Sequence, residues 1–221
     1  KAGPEGRVVA TDISAEMLAF GRERAAAAGL RNVEFLESDA SSLDFPPASF
    51  DAAVSRWGII FEPDAEAAAG RIRGFLEPGA RMAIASWGEP DQVPFLSIPM
   101  RTTMERLGVP PPPPGTPGPL SRPTPAAIAG LLEGGGFTEV AVERAEVTFE
   151  FDSPEHFTAY IRAISAPIRA MIERHAGEAQ EEAWDAIAQA AAEAGSGSRP
   201  PSFSNAQRAC WWEDTGKAER G

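Results

Sequence analysis

The strongest local signal for the fold is the segment Val8-Val9-Ala10-Thr11-Asp12-Ile13-Ser14. It begins as a short β-branched strand, and Ser14 can cap a helix that runs to about Ala28. Asp12 therefore lies between the end of a strand and the start of a helix. Ligands of open α/β sheets bind outside the carboxyl ends of the strands, and a carboxylate there can accept both hydroxyls of a ribose. The alternative is that Asp12 only caps the turn.

The rest of the first half alternates strands and helices. We predict strands at 32–37, 50–55 and 81–87, and a helix that begins at Asp64 and ends at Pro78-Gly79. Strands and helices at this spacing are typical of a parallel sheet with right-handed crossovers. The sequence therefore predicts an open α/β fold.

A second carboxylate repeats the geometry of the first. Asp39 follows the predicted strand at 32–37, as Asp12 follows the strand before it. A carboxylate at that place can accept a hydrogen bond from an exocyclic amine such as that of adenine. Two acids at successive strand ends predict a nucleoside pocket, with one acid for the sugar and one for the base.

Composition and charge exclude several classes of protein. The chain has 221 residues, 43% of them hydrophobic, so it can bury a real core and is not disordered throughout. Its net charge of −12 argues against nucleic acid as a partner, because phosphate binding needs clustered Lys and Arg. Cys210 is the single cysteine and cannot form an internal disulfide, which favours the cytoplasm. No run of 18 apolar residues exists to span a membrane.

The middle of the chain is rich in proline. Twelve of the 21 prolines lie in 90–125, and five are consecutive in Pro110-Pro111-Pro112-Pro113-Pro114. We predict a loop over 90–125, either a semi-rigid surface connection or a lid on the substrate side. Thr124 then caps a short helix to about Leu132.

The last third is predicted to add one strand and a group of helices. A long alternating strand covers 139–151, and three alanine-rich helices follow near 155–164, 167–175 and 178–194. We expect these helices to form a small cap over 153–194. The remaining residues, 195–221, are expected to form an irregular tail, of which 203–212 belongs with 1–152 to the main domain.

Several motifs in the first half occur in a characteristic order. They are Asp12-Ile13-Ser14-Ala15-Glu16-Met17-Leu18, Asp39-Ala40, Ser49-Phe50-Asp51-Ala52, Ser55-Arg56-Trp57-Gly58 and Phe75-Leu76-Glu77-Pro78-Gly79. The ordered set resembles class I S-adenosylmethionine-dependent methyltransferases, and more narrowly the small-molecule group that includes ubiquinone and menaquinone C-methyltransferases. The resemblance implies a Rossmann-like open sheet, a small helical cap and S-adenosyl-L-methionine as the cofactor.

The resemblance implies cofactor-binding roles at the matching positions. Asp12 is expected to bind the ribose hydroxyls, and Ile13 and Met17 to pack on the adenine face. Asp39 is expected to accept a hydrogen bond from the adenine amine, and the backbone amide of Ala40 to reach the adenine ring.

The resemblance also implies where the methyl group is transferred. Ser55 and Arg56 are expected to border the methionine end of the cofactor and the transferred methyl. Trp57, Phe61 and Trp87 are expected on the acceptor side, although each could equally serve as core packing. The acceptor is expected to be small, and hydrophobic or aromatic. No catalytic base can be named, and no metal ion is expected.

Two departures from the family pattern bear on the expected activity. The family's Gly-x-Gly-x-Gly loop should precede Gly3, so we expect the chain to be truncated at its amino terminus and to lack the first strand. At the other end, polar sequence stands where the family has an apolar antiparallel strand. We therefore expect little methyl transfer by this chain on its own.

Two other functions remain open from the sequence. Nicotinamide-dependent oxidoreductases also place an acid after the second strand to bind ribose. A degenerate homologue without catalysis, acting as a binding or assembly partner, is the other alternative. His156 and His175 are interpreted as residues on helix surfaces.

Overall fold

A computed structural model describes residues 2–113, 115–194 and 202–212. The strands, in chain order, are β1 (Val8–Asp12), β2 (Val33–Glu37), β3 (Phe50–Arg56), β4 (Leu76–Trp87), β5 (Val140–Glu150) and β6 (Ser202–Trp212). The helices are α1 (Ala15–Ala27), α2 (Ala65–Phe75), α3 (Pro94–Leu107), α4 (Pro125–Gly134), α5 (Pro154–Ile164), α6 (Ala166–Ile172) and α7 (Gly177–Ala194). Short 3-10 turns occupy Ile59–Phe61 and Pro90–Gln92. The predicted alternation of strands and helices in the first half is confirmed.

β1, α1 and β2 form a local unit in which a side-chain cap marks the start of the helix. The Ser14 hydroxyl accepts a hydrogen bond from the Met17 amide at 3.2 Å, which satisfies one of the free N–H groups at the start of α1. β1 and β2 are parallel, in a register that pairs Val8 with Val33 and Asp12 with Glu37. The carboxyl ends of both strands therefore lie at the same edge.

The strands form two sheets where the sequence predicted one open sheet. β1 pairs with β2, and the other sheet has the strand order β3-β4-β6-β5. Within the described residues, each of β1 and β3 has a strand on only one side. The two sheets are separate because no described strand forms backbone hydrogen bonds with both of them. The α/β fold class itself is confirmed.

The chain folds as two compact units. One unit contains Lys1–Ile84, Ala129–Ala141 and Cys210–Gly221, and the other contains Ala85–Ile128 and Val142–Ala209. β4, β5 and β6 each contribute residues to both units. The division predicted from the sequence, with a cap over 153–194, stays a prediction.

The first unit is built around α2. Its buried residues Ala65, Ala68 and Ala69 follow the helical period, and Ile59 and Ile60 in the preceding turn are buried with them. The Asp64 carboxylate caps α2 by accepting the Ala67 amide at 2.9 Å. The helix and the turn before it are therefore anchored in the core by apolar side chains.

The second unit combines four of the helices with an aromatic cluster. α3, α5 and α6 each contact α7, which presents Ala183, Trp184, Ile187 and Ala191 as its buried face. Phe95 stacks on Phe149 with ring centroids 4.6 Å apart, and Phe157 meets Phe95 edge-on at 6.1 Å. Buried aromatic pairs of this kind add to the stabilisation that apolar burial supplies.

The prediction of a loop throughout 90–125 is wrong for Pro94–Leu107, which forms α3. Pro94 is in the first turn, where its missing N–H costs no hydrogen bond. Pro99 lies inside the helix, which persists because Phe95, Ile98 and Thr103 are buried in the second unit. Proline content misled the prediction, since burial of one helical face outweighed it.

Two further boundaries differ from prediction. The prediction of an irregular tail is wrong for Ser202–Trp212. This segment forms β6, which lies between β4 and β5 in the sheet order. Backbone hydrogen bonds to neighbouring strands define such a strand, and these are invisible in a polar sequence. The other tail residues, 195–201 and 213–221, lie outside the described part of the chain. β4 begins at Leu76, before the predicted start at 81.

In the described part of the chain, no helix combines the length and the apolar character that a membrane span requires.

Candidate functional site

The Asp12 carboxylate lies at the carboxyl end of β1, as predicted. Its Oδ1 accepts a hydrogen bond from the Ser14 amide at 2.9 Å, which orients the carboxylate over the start of α1. No hydrogen bond from the described residues reaches its second oxygen. The Ser38 amide donates to the Asp12 carbonyl at 3.1 Å and ties the end of β2 to the end of β1. Asp12 therefore holds the turn with one carboxylate oxygen, and the other receives no hydrogen bond from the described residues.

The Asp39 carboxylate lies in the loop after β2, also as predicted. Its Oδ1 accepts the Ser42 amide at 2.6 Å, and the Ser38 hydroxyl donates to the Asp39 carbonyl at 2.9 Å. These bonds close a tight turn over 38–42 in which Ala40 is half-buried. The turn carries one carboxylate and one backbone amide at the end of the strand.

The end of β3 is shaped by Ser55 and Trp57. The Ser55 hydroxyl accepts the Ile59 amide at 3.0 Å and so starts the 3-10 turn that follows. Trp57 has a φ of 62°, in the left-handed region that a bulky residue rarely adopts. The Arg56 guanidinium lies 5.0 Å from the centre of the Trp57 ring, at the distance of a cation–π contact.

Glu62 connects the loop after β2 to the turn after β3, and it was not among the residues predicted for the site. Its Oε1 accepts the Ala40 amide at 2.9 Å, and its Oε2 accepts the Ser41 hydroxyl at 2.5 Å. The signal that could have found it is weak: a carboxylate just before the Pro63-Asp64 start of α2. Its partners are more than 20 residues away, so only the folded chain shows the contact.

Hydrogen bonds thus join the carboxyl ends of three strands of the first unit. Asp12 contacts Ser38 after β2, Ala40 contacts Glu62, and Ser55 contacts Ile59 in the turn that leads to Glu62. The structure therefore brings the predicted residues at these strand ends into one continuous network. It carries three carboxylates, those of Asp12, Asp39 and Glu62, with Arg56 as the cation at the end of β3.

Apolar side chains of this unit remain open to solvent. Ile13 is 74% exposed, Met17 is 56% exposed and Phe61 is 47% exposed, whereas Ile59 and Ile60 beside Phe61 are buried. Exposed apolar surface next to convergent polar groups is typical of a ligand site. Ile13 and Met17 are available to pack on a planar ring, as the resemblance implies.

Trp87 belongs to the second unit. It is 6% exposed and stacks on Phe95 with ring centroids 6.1 Å apart. This is the environment of a core residue, which was the alternative left open by the sequence. Its acceptor-side role stays a prediction.

Neither histidine lies among the residues of this network. His156 lies 3.2 Å from the Asp152 carboxylate, on the exposed start of α5. His175 follows α6, and its carbonyl accepts a hydrogen bond from the Gln180 side-chain Nε2 at 2.8 Å. In the described ranges, no three His, Cys, Asp or Glu residues come together as a metal site would require.

An open cavity of about 330 Å³ also occurs in the first unit, at the opposite end of β1 and β2. It is lined by Gly6, Arg7, Arg31, Asn32, Val33 and Glu34. Arg7 and Glu34 pair across it at 2.7 Å and are both exposed. Parallel sheets bind ligands at the carboxyl ends of their strands, so the network at Asp12, Asp39 and Ser55 is the better candidate.

Comparison with known proteins identifies relatives of the first unit. Residues 1–79 match the family described as methyltransferase domain. The aklanonic acid methyltransferase of Streptomyces sp. (strain C5) is 37% identical over 86 residues, 39% of each chain. The demethylmenaquinone methyltransferase of Thermus thermophilus is 38% identical over 92 residues, 42% of this chain and 41% of that one. The chain thus spans about two fifths of the length of the curated relatives it matches.

Solved structures match over most of the chain. The YcgJ protein of Bacillus subtilis has a TM-score of 0.55 and 16% identity, covering 94% of this chain and 82% of that one. Phosphoethanolamine N-methyltransferase 2 of Haemonchus contortus, in complex with phosphomonomethylethanolamine and S-adenosylhomocysteine, has a TM-score of 0.50 and 20% identity. The match covers 94% of this chain and 43% of the Haemonchus contortus chain. At such identities the likeness establishes the fold.

Proposed function

We propose, because residues 1–79 match the methyltransferase-domain family, that the chain serves methyl transfer from S-adenosyl-L-methionine to a small molecule. The observation that carries the proposal is the network of hydrogen bonds joining the ends of β1, β2 and β3. It places the Asp12 and Asp39 carboxylates at one edge of the first unit, together with the Ala40 amide, which donates to Glu62. The family match supports this reading over a nicotinamide-dependent oxidoreductase.

The side chains present fit the chemistry of this cofactor. The Asp12 carboxylate keeps one oxygen for the ribose hydroxyls while the other holds the Ser14 amide. Asp39 similarly holds its turn with Oδ1 and offers a second acceptor to the adenine amine. Ile13 and Met17 offer exposed apolar surface for the face of the base. Each contact is one that a carboxylate or an apolar side chain makes well.

The part of the reaction that belongs to this chain is positioning. The bound cofactor supplies an activated methyl group on a sulfonium, so little side-chain chemistry is required. Ser55 and Arg56 end β3 and would border the transferred methyl. Trp57, which follows β3 in a left-handed backbone conformation, would lie on the acceptor side. Aligning acceptor and methyl donor lowers the entropic part of the barrier.

We propose a small, hydrophobic or aromatic acceptor. Phe61 offers exposed aromatic surface next to the end of β3, and Trp57 lies half-buried before it. The relatives named for aklanonic acid and for demethylmenaquinone also act on small molecules. The net charge of −12 disfavours an anionic polymer as acceptor.

Calorimetric titration with S-adenosylhomocysteine tests the proposal. We expect saturable binding that weakens by about tenfold or more in Asp12→Asn, because a hydrogen bond to a charged group contributes about 1.5–3 kcal/mol. The asparagine Oδ1 can still accept the Ser14 amide, so the turn should fold. Asp51→Asn, on the exposed side of β3, is the matched control and should bind as the wild type does.

Two results would contradict the proposal. One is the absence of binding at millimolar S-adenosylhomocysteine by a folded wild-type chain, which would favour a homologue without catalysis. The other is equal affinity in Asp12→Asn and wild type, which would place the ligand elsewhere. Low-micromolar affinity, in turn, would contradict the expectation that the chain on its own is impaired.

A further inference from the structure

The loop after β2 is held by a carboxylate from a distant part of the chain. Glu62 accepts hydrogen bonds from the Ala40 amide at 2.9 Å and from the Ser41 hydroxyl at 2.5 Å. We call this pair of bonds the Glu62 bridge. It satisfies the Ala40 N–H, which is the backbone group that the proposed function assigns to the adenine ring. The bridge and the cofactor therefore require the same donor.

Hydrogen bonds and buried neighbours hold the backbone of Glu62 in place. The Glu62 amide donates to the Ile59 carbonyl at 3.1 Å, and the Ile59 amide donates to the Ser55 hydroxyl at 3.0 Å. Ile59 and Ile60 are buried, and Asp64 caps α2 two residues after Glu62. The carboxylate thus projects from a backbone anchored in the core, and it is itself half-buried.

The donor side is equally constrained. Asp39 accepts the Ser42 amide at 2.6 Å, so the turn that carries the Ala40 N–H is closed independently of Glu62. Removing the Glu62 carboxylate should therefore free the Ala40 N–H without opening the turn. A backbone amide has a single hydrogen and cannot donate in full strength to two acceptors.

The two acceptors differ in strength. An ionised carboxylate is a stronger acceptor than a neutral ring nitrogen, because the hydrogen bond to it is assisted by charge. The cofactor must therefore displace a favourable contact to reach the Ala40 amide. The displacement costs part of the binding free energy that the adenine contact would contribute.

We infer that Glu62 occupies the adenine-binding amide in the cofactor-free protein, and that binding of the cofactor breaks the Glu62 bridge. The inference rests on the proposed function and deepens it by assigning a residue that limits cofactor affinity. It couples the loop after β2 to the turn after β3, since the same carboxylate that leaves Ala40 extends from the turn that begins at Ser55.

Hydrogen exchange of the Ala40 amide, followed by NMR without any ligand, tests the bridge itself. We expect exchange to be about tenfold faster in Glu62→Ala than in wild type, because the amide loses its charged acceptor. Glu23→Ala removes the same charge from an exposed position of α1 and should leave the rate unchanged. Equal rates in Glu62→Ala and wild type would overturn the inference.

Affinity for S-adenosylhomocysteine tests the competition. We expect Glu62→Ala to bind about three- to tenfold more tightly than wild type, and Glu23→Ala to bind as wild type does. Ser41→Ala keeps Glu62 but removes one bond of the bridge, and should tighten binding by a smaller factor. It also serves if Glu62→Ala does not fold.

The opposite result has a distinct meaning. Weaker or unchanged binding in both Glu62→Ala and Ser41→Ala would overturn the inference and show that Glu62 supports the loop for the cofactor. If no variant binds, the wild type included, the proposed function fails and the competition with it. The exchange measurement would still report whether the Glu62 bridge exists, so the two failures are distinguishable.

Discussion

Gly135 lies where the chain leaves α4 and passes α2 at close range. A Cβ at this position would lie 2.6 Å from the Ala69 Cβ and 3.0 Å from the Gly70 amide nitrogen. Backbone atoms cannot move aside as the end of a flexible side chain can. Gly130, inside α4, has no atom within 4 Å of such a Cβ. The two glycines therefore differ in whether an added Cβ would clash with neighbouring atoms.

We predict opposite effects of alanine at these two glycines. Gly135→Ala should lower the free energy of unfolding by about 1–3 kcal/mol, through overpacking against α2. Gly130→Ala should raise it by about 0.5–1 kcal/mol, because alanine restricts the unfolded chain and favours the helix. Urea unfolding followed by circular dichroism measures both. Equal stability of Gly135→Ala and wild type would contradict the close approach.

The residues of the candidate site differ in whether they could be predicted from the sequence. Asp12 and Asp39 could be found from the sequence, since each follows a strand whose β-branched or apolar pattern is local. Glu62 could not, because its contact with Ala40 depends on the arrangement of strand ends far apart in sequence. Trp57 could be found as a motif residue, but its left-handed backbone could not.

α5 shows how one helix draws on several sources of stability. Ser153 accepts the His156 amide at 3.1 Å, and Pro154 occupies the first turn. Phe157 is fully buried and meets Phe151 edge-on, with centroids 5.2 Å apart. Ile164 lies at the other end of the same helix and is about half exposed. The helix is therefore held chiefly by its buried aromatic face.

We predict that Phe157→Ala lowers the free energy of unfolding by about 3–5 kcal/mol, because the cavity left behind in the aromatic cluster cannot fully collapse. Ile164→Ala, on the same helix, should cost less than about 1 kcal/mol, since its side chain is half exposed. Thermal unfolding monitored at the aromatic near-ultraviolet bands separates the two variants. A loss in Ile164→Ala as large as that in Phe157→Ala would contradict the assigned burial.

The elements differ in how far the sequence predicted them. α1, α2, β1 and β2 were predicted within a few residues, because each has a local cap or a regular apolar period. α3 was not, since its prolines carry a strong local signal for a loop while its burial comes from distant helices. In α3, burial against other helices therefore outweighed the local preference of proline for a loop.

Charge is a property of the whole chain. Acidic residues outnumber basic ones by 32 to 20, and the net charge is −12. The ion pair between Arg106 and Glu182 is half exposed, and so are the Arg7 and Glu34 side chains. Such pairs contribute little to stability, and they leave the excess of negative charge in place. The molecule as a whole should therefore repel other polyanions.

We predict no saturable binding of duplex DNA by the chain, even at low ionic strength, because phosphate contacts would need basic side chains that outnumber the acidic ones locally. Fluorescence anisotropy of a labelled duplex measures this, with S-adenosylhomocysteine present and absent. An increase in anisotropy that saturates and then falls with added salt would contradict the prediction and would reopen nucleic acid as the acceptor.

Local sequence patterns were sufficient to predict the alternation of strands and helices in the first half and the two carboxylates at strand ends. These follow from caps, periodicity and chain order, which act over a few residues. The folded chain was needed to show that Pro94–Leu107 is a helix, that Ser202–Trp212 is a strand, and that the strands form two sheets. It was also needed to show that Glu62 holds the Ala40 amide. The physical reason is the same in each case: burial and hydrogen bonding between segments far apart in sequence leave no local pattern.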